Sequence, residues 1–436
     1  MVLTLPTSRP ARRALLGAVP LLAGALILTG CGRTSEASDA AASATVDDAP
    51  ATGTVDIWVG APDGDALEDF LQPFVEENPD VTLNIRSIPS DEYDTTLTAA
   101  IASGNVPDVA MMYSQTEPSM IATDAFAAVP DGLVDPDAFF ETAWDLGVVD
   151  GVSYAVPWYS YANVLYYRAD LFEQNGIEPP TTWDAFVSAS AQLKDAGVEY
   201  PIATDVDWNN YTAQAFNDFA GQGGGSLISD DLTEWTIDTP ENLETLEFYA
   251  SLFTDDLASA DGPVFLDRAP NMVAGTNAMS INGPWFPGFL DQVGGDGWAA
   301  EHIGAIVPPA GPAGVATSFG GGSFGVLRDA DNADSGWKLL RYLSEPEVQV
   351  DWYTTFGNLP AVSAGWDEEP IASDPLLAAV KEALPDSSTV PPVPTFTQVG
   401  DMIGQQLETV ARGQATPAEA LATMQAQADA IGTGVE

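Results

Sequence analysis

Cysteine and histidine are nearly missing from this 436-residue chain, which has one of each, Cys31 and His302. A lone cysteine excludes an internal disulfide. A lone histidine excludes a His-rich zinc centre. Any Ser-His-Asp or Cys-His machinery would rest on Glu301-His302-Ile303-Gly304, where no nucleophile motif lies nearby. Basic residues are also scarce, 13 against 64 acidic ones. Three of them, Arg9, Arg12 and Arg13, precede an apolar run over residues 14–28, and without these three the net charge is −54. Such a charge opposes nucleic acid, other polyanions and anionic lipid surfaces as partners, and it disfavours an anionic ligand. It bears on solubility and surroundings rather than on fold. The apolar run itself is shorter than the roughly 20 residues a membrane-spanning helix needs.

What is present begins with that N-terminus. Basic residues followed by a short apolar run have the layout of a secretory signal, expected over residues 1–30. The run ends in Leu28-Thr29-Gly30-Cys31, which resembles a bacterial lipobox and implies lipidation of Cys31 as the mature N-terminus. One acyl chain holds weakly, so the diacylglycerol that the resemblance implies matters for stable anchoring. Residues 31–53 are dominated by Ala, Ser, Thr, Asp and Glu without an aromatic, which predicts a disordered tether.

Beyond the tether the length predicts two domains. Alternating apolar residues over 54–59 and 81–85 and the apolar run over 109–113 predict strands. Helical spacing over 66–77, and over 91–103 with Asp91 as N-cap, predicts the helices between them. This rhythm is that of a parallel sheet covered by helices, and such sheets bind ligands beyond the carboxyl ends of their strands. Asp63 and the run Tyr113-Ser114-Gln115 occupy two such ends. An aromatic-rich extended stretch follows over 151–168, then a helix from Thr182 to about Ala196 and a strand over 201–204. The run Asp205-Val206-Asp207-Trp208-Asn209-Asn210-Tyr211 mixes carboxylates, amides and rings, a combination suited to sugars, although a polar loop with one packed tryptophan reads the same way. A helix is predicted from Pro240 to Phe253, and further helices over 334–344, 347–356 and 397–431, the last broken near 413–417.

Residues 278–288 form the most distinctive stretch. A short apolar strand breaks at Asn282-Gly283-Pro284, and Trp285 and Phe286 follow on that stiff turn. Trp285 there can cap a core or face a ligand, and Phe286 is read as core. The glycine-rich run Gly320-Gly321-Gly322-Ser323 lacks the Gly-Lys-Ser/Thr ending and the following helix of a phosphate loop, so that reading is rejected.

The number and order of these patterns resemble the extracellular carbohydrate-binding proteins of bacterial ABC importers, the family of the maltose-binding protein. The resemblance implies an α/β, two-lobed periplasmic-binding-protein-like (type II) fold with a hinge of crossing strands. The lobes would be 54–157 with 316–366, and 158–315 with 367–436. It implies a monomeric substrate-binding lipoprotein with no cofactor and no metal, lipid-anchored outside the cytoplasm on the outer face of the cytoplasmic membrane. Such a protein captures a neutral mono- or oligosaccharide in the interlobe cleft and delivers it to a membrane permease. The implied ligand contacts are Trp285, whose turn matches the family's stacking tryptophan, with Tyr113, Tyr161, Trp158, Asp207, Trp208 and Asn209. Asp63, Ser114, Gln115, Gly321 and Ser323 complete the expected set. The maltose-binding protein carries a further tryptophan in its last helices that has no counterpart over 396–402, so the sugar subsites would differ.

Two other classes stay open on residues alone. A secreted, lipid-anchored glycoside hydrolase would also show aromatic platforms and paired carboxylates. A structural or adhesive lipoprotein would show no saturable binding of a small ligand. Two lobes with crossovers favour the binding protein over the hydrolase.

Overall fold

Strict alternation builds the first strand of the computed structural model, which describes residues 45–264 and 267–435. β1 (Gly53–Gly60) turns Val55, Ile57 and Val59 into a core and leaves Asp56 and Trp58 half-buried on its other face. β2 (Val81–Ile88) pairs parallel with β1 along its whole length, and β3 (Val109–Tyr113) pairs parallel on the opposite side. The helical stretch expected over 66–77 is two helices, Asp63–Phe70 and Gln72–Glu77. Pro73 lacks the N–H that would continue a single helix. The next helix, Ser90–Ser103, starts before Asp91, so Asp91 is not its cap, and it ends at Gly104 in the left-handed conformation (φ 70°). The predicted signal segment and Cys31 lie outside the described residues.

A small hairpin, β4 (Val148–Val149) and β5 (Val152–Ser153), precedes the aromatic-rich stretch. That stretch is two strands divided at Asn163, β6 (Val156–Ala162) and β7 (Val164–Arg168). The remaining strands are β8 (Ile202–Ala203), β9 (Met279–Asn282), β10 (Ile303–Ile306), β11 (Thr317–Val326) and β12 (Ser387–Ser388). The first sheet has the order β12-β11-β3-β1-β2, with β6 also paired to β11, and the second has the order β10-β7-β9-β8. The chain therefore steps from one sheet to the other between β6 and β7. This is a two-domain α/β fold resembling the periplasmic binding proteins.

Each sheet carries its own core. Ile57, Met111, Phe126, Phe324 and Trp352 belong to the first, and Leu165, Phe216, Tyr249, Met279 and Leu407 to the second. A third cluster includes Ala162, Val164, Tyr166, Phe286, Phe319 and Val380, gathered about the β6–β7 step and β11. Phe286 is thus core, as its sequence reading holds. The tail forms two helices, Phe396–Ala411 and Pro417–Ile431. The second opens with Thr416 and Glu419 in a reciprocal capping box.

Buried polar side chains fasten these parts. Asp108 accepts from the backbone N–H groups of Asp56 and Asn332, both at 2.8 Å. Gln349 donates to the carbonyls of Pro157 and Leu343 and accepts from the N–H groups of Ala361 and Val362. The end of the expected disordered tether is also held. Asp47 pairs with Lys338 at 2.7 Å, Ala51 is buried, and Thr52 N–H donates to Ser335 at 3.0 Å. Contacts far along the chain order residues 47–52, which local composition cannot reveal.

Candidate binding site

The turn at 282–286 builds one wall of the candidate site. β9 ends at Asn282, Phe286 N–H donates to the Gly283 carbonyl at 3.1 Å, and the helix Phe286–Gly294 follows with Pro287 in its first turn. A Cβ on Gly283 would fall 2.2–2.5 Å from the Trp285 ring, so glycine is what lets that ring fold back over the turn. Trp285 meets Tyr161 of β6 edge to face, with ring centroids 4.8 Å apart. Tyr161 has its own requirement, because a Cβ on Gly320 would lie 2.1–2.5 Å from its ring. Burial pushes the Tyr161 hydroxyl up to about 12.

These rings line a cavity of about 590 Å³ together with β7, β9, β11 and the helix Asn210–Gly223. That volume lies within the roughly 300–1,000 Å³ of small-molecule sites. Of the expected contacts, Gln115, Tyr161, Asp207 and Trp285 come together around it. Residues outside the expected contact set complete it, Asp205 and Tyr211 among them from the run already read as suited to sugars. Tyr211, Gln214, Asp218 and Gln222 lie on the cavity-facing stripe of one helix, and Asp205, Arg268 and Asn282 join them. The helical part was legible as polar residues at i, i+3, i+7 and i+11 from Tyr211. The approach of Arg268 to Asp205 across 63 positions was not.

Charge in the cavity is internally organised. Arg268, 1% exposed, pairs closely with Asp205, and its guanidinium lies 3.6 Å from Asp207. Asp218 accepts from the Ser318 hydroxyl at 2.7 Å and the Ser318 N–H at 3.0 Å. Burial pushes Asp218 up to about 7 against those hydrogen bonds, and the charge of Asp205 adds to the rise.

Several expected contacts lie elsewhere, each for a structural reason. Trp158 is 2% exposed in the first core, between Phe70, Phe324 and Trp352, so it is a packing residue. Trp208 packs on the second core beside Phe253, and Asn209 caps the following helix by accepting from Tyr211 N–H at 2.9 Å. The Gly321 carbonyl accepts from Ser114 N–H at 3.1 Å, tying β11 to the end of β3 and burying Ser114. Ser323 is buried beside Glu117, which burial pushes up to about 8. Asp63 lies in a helical first turn, not a loop tip. It is buried, accepts from Asn358 at 3.3 Å, and is pushed up to about 6 by burial. Tyr113 stands at the end of β3 against Tyr93, close to Asp63 but outside the cavity wall.

Fold and cavity together define a two-domain α/β protein with a cavity of small-molecule size, the architecture of a class of binding proteins. The chain belongs to the family of bacterial extracellular solute-binding proteins, whose family model matches residues 60–350. That is a family of non-catalytic binding proteins, in keeping with the expectation that the chain is not an enzyme. Among its relatives is the sn-glycerol-3-phosphate-binding periplasmic protein of Shigella flexneri, 24% identical over 426 residues, spanning 87% of this chain and 92% of the relative. The sugar-binding protein MalE of Xanthomonas citri has a similar structure, with a TM-score of 0.79 and 24% identity, covering 87% of this chain and 97% of that one. An ABC substrate-binding protein of Listeria monocytogenes in complex with cycloalternan matches with a TM-score of 0.70 and 25% identity, over 87% and 99% of the two chains.

Proposed function

We propose that the protein captures a sugar or oligosaccharide without negative charge and delivers it to the membrane permease of an ABC importer. The observation that carries this reading is the cavity wall, where the Trp285–Tyr161 pair adjoins carboxylates and amides. Rings stack on the apolar C–H faces of sugars while carboxylates and amides pair their hydroxyls. The names of the sugar-binding and cycloalternan-bound structural relatives support the same ligand class. The glycerol-phosphate relative suggests an anionic ligand instead. Arg268 argues against it here, because the cation that would meet a phosphate already pairs with Asp205 and approaches Asp207.

In this reading the β6–β7 step and β11 act as the hinge between two lobes. Ligand binding selects the closed population that a permease recognises. Cys31 carries the lipid anchor, and the protein works as a monomer outside the cytoplasm. Calorimetry against mono- and oligosaccharides, with sn-glycerol 3-phosphate as a separate arm, tests the ligand class. Saturable binding of a saccharide is expected, and binding of the phosphate alone would replace the reading. Trp285→Ala should weaken saccharide binding by about 1–3 kcal/mol, the range for losing a stacking ring. An unchanged affinity would return Trp285 to a packing role. Turnover of an oligosaccharide at enzyme-like rates would revive the hydrolase.

A further inference from the structure

Within that sugar reading, on which this step rests, we infer that the preferred saccharide carries a protonated amine and that Asp218 recognises it. Asp205, Asp207, Asp218 and Asp267 line the cavity, and among the described residues lining it Arg268 is the one cation. Its guanidinium is engaged by Asp205 and lies 3.6 Å from Asp207. Asp218 is served differently. Its Oδ2 accepts both Ser318 donors, leaving Oδ1 without a donor among the described residues, in a carboxyl 8% exposed at the cavity wall.

A buried carboxylate without a counterion is high in energy, and it either keeps a proton or acquires a cation. The groups around Asp218 do not supply that cation. Asp205 and Asp207 follow β8, and Asp267 and Arg268 open the helix Arg268–Ala274. Tyr161 comes from β6 and Tyr211 from the same helix as Asp218. Tyr249 lies on the helix packed behind it, and Asp401 binds the far N-terminal end of the Asp218 helix. Only Arg268 in this set is positive. A sugar hydroxyl offers Asp218 one donor, whereas an ammonium offers up to three donors and the missing charge. The rings of Trp285, Tyr161 and Tyr211 add faces that also attract a cation. The chemistry therefore favours a sugar in which an amine replaces one hydroxyl.

Matched pairs test this by calorimetry on the intact protein near neutral pH. They are glucosamine with glucose, galactosamine with galactose, and the 1,4-linked glucosamine dimer with cellobiose, with N-acetylglucosamine as an uncharged control. The amine-bearing member of at least one pair should bind about tenfold more tightly or better, the size expected of a charge-assisted contact. N-acetylglucosamine should follow the neutral members. Asp218→Asn, which keeps an oxygen to accept from Ser318, should bring the amine-to-neutral ratio down to near one. Equal or tighter binding of the neutral members by the parent protein would overturn the inference while leaving the sugar reading in place. The same ratio in Asp218→Asn and parent would overturn the role of Asp218. No binding by any saccharide would overturn both. The parent comparison decides the ligand class even if the variant does not fold.

Discussion

Glu117 opens a short helix with its carboxyl fully enclosed, 1% exposed, beside Ser323 and against Gly147. Neither carboxyl oxygen makes a well-formed hydrogen bond among the described residues. Burial raises its pKa from an ordinary 4.5 to about 8. Between those values the unfolded chain has released a proton that the folded chain still holds, so stability falls as pH rises through the window. Across that window the loss amounts to roughly 5 kcal/mol, at about 1.4 kcal/mol for each pH unit between the two values. Glu117→Gln replaces the protonated acid with an uncharged group of the same shape and should escape this loss. Urea unfolding of parent and variant near pH 4 should give nearly equal stabilities. Near pH 8 the variant should be more stable by up to about 5 kcal/mol. The titration of the remaining acids is common to both proteins and cancels in the difference. A variant equally stable at pH 8, or stabilised to the same extent at both pH values, would refute the buried-acid account.

Two further substitutions probe the framework. Gln349→Leu orphans the N–H groups of Ala361 and Val362, both held at 2.9 Å, and should destabilise the fold by about 3–6 kcal/mol in urea unfolding. A change under about 1 kcal/mol would show that the backbone finds other partners. Gly320→Ala drives a methyl group into the Tyr161 ring and should lower stability by about 1–3 kcal/mol. It should also weaken saccharide binding through the Tyr161–Trp285 contact, so unchanged melting temperature and affinity together would show that the ring moves aside freely.

Much of the fold was legible in local patterning. The alternation over 54–59 and 81–85, and the helices between these strands, follow from which residues can share a buried face. The turn Asn282-Gly283-Pro284-Trp285 was readable because its chemistry is local: a glycine, a proline, and a ring that only a missing Cβ accommodates. Division of the extended stretch at Asn163 was not readable, since the residues on both sides are equally apolar and only their pairing partners differ.

The same limit separates the two tryptophans. Trp158 and Trp285 each follow a proline at an apolar stretch, yet one is closed in by Phe70, Phe324 and Trp352 and the other lines a cavity. What encloses a ring arrives from distant segments. The sequence by itself determined the acidic character, the two-domain α/β organisation and the exclusion of histidine and cysteine chemistry, because composition and periodicity are properties of neighbouring residues. Only the tertiary structure decided that Arg268 is neutralised by Asp205 and that Asp218 is tied to Ser318 at the cavity wall. Those contacts span 63 and 100 positions, and no local pattern encodes which charges will be left to meet a ligand.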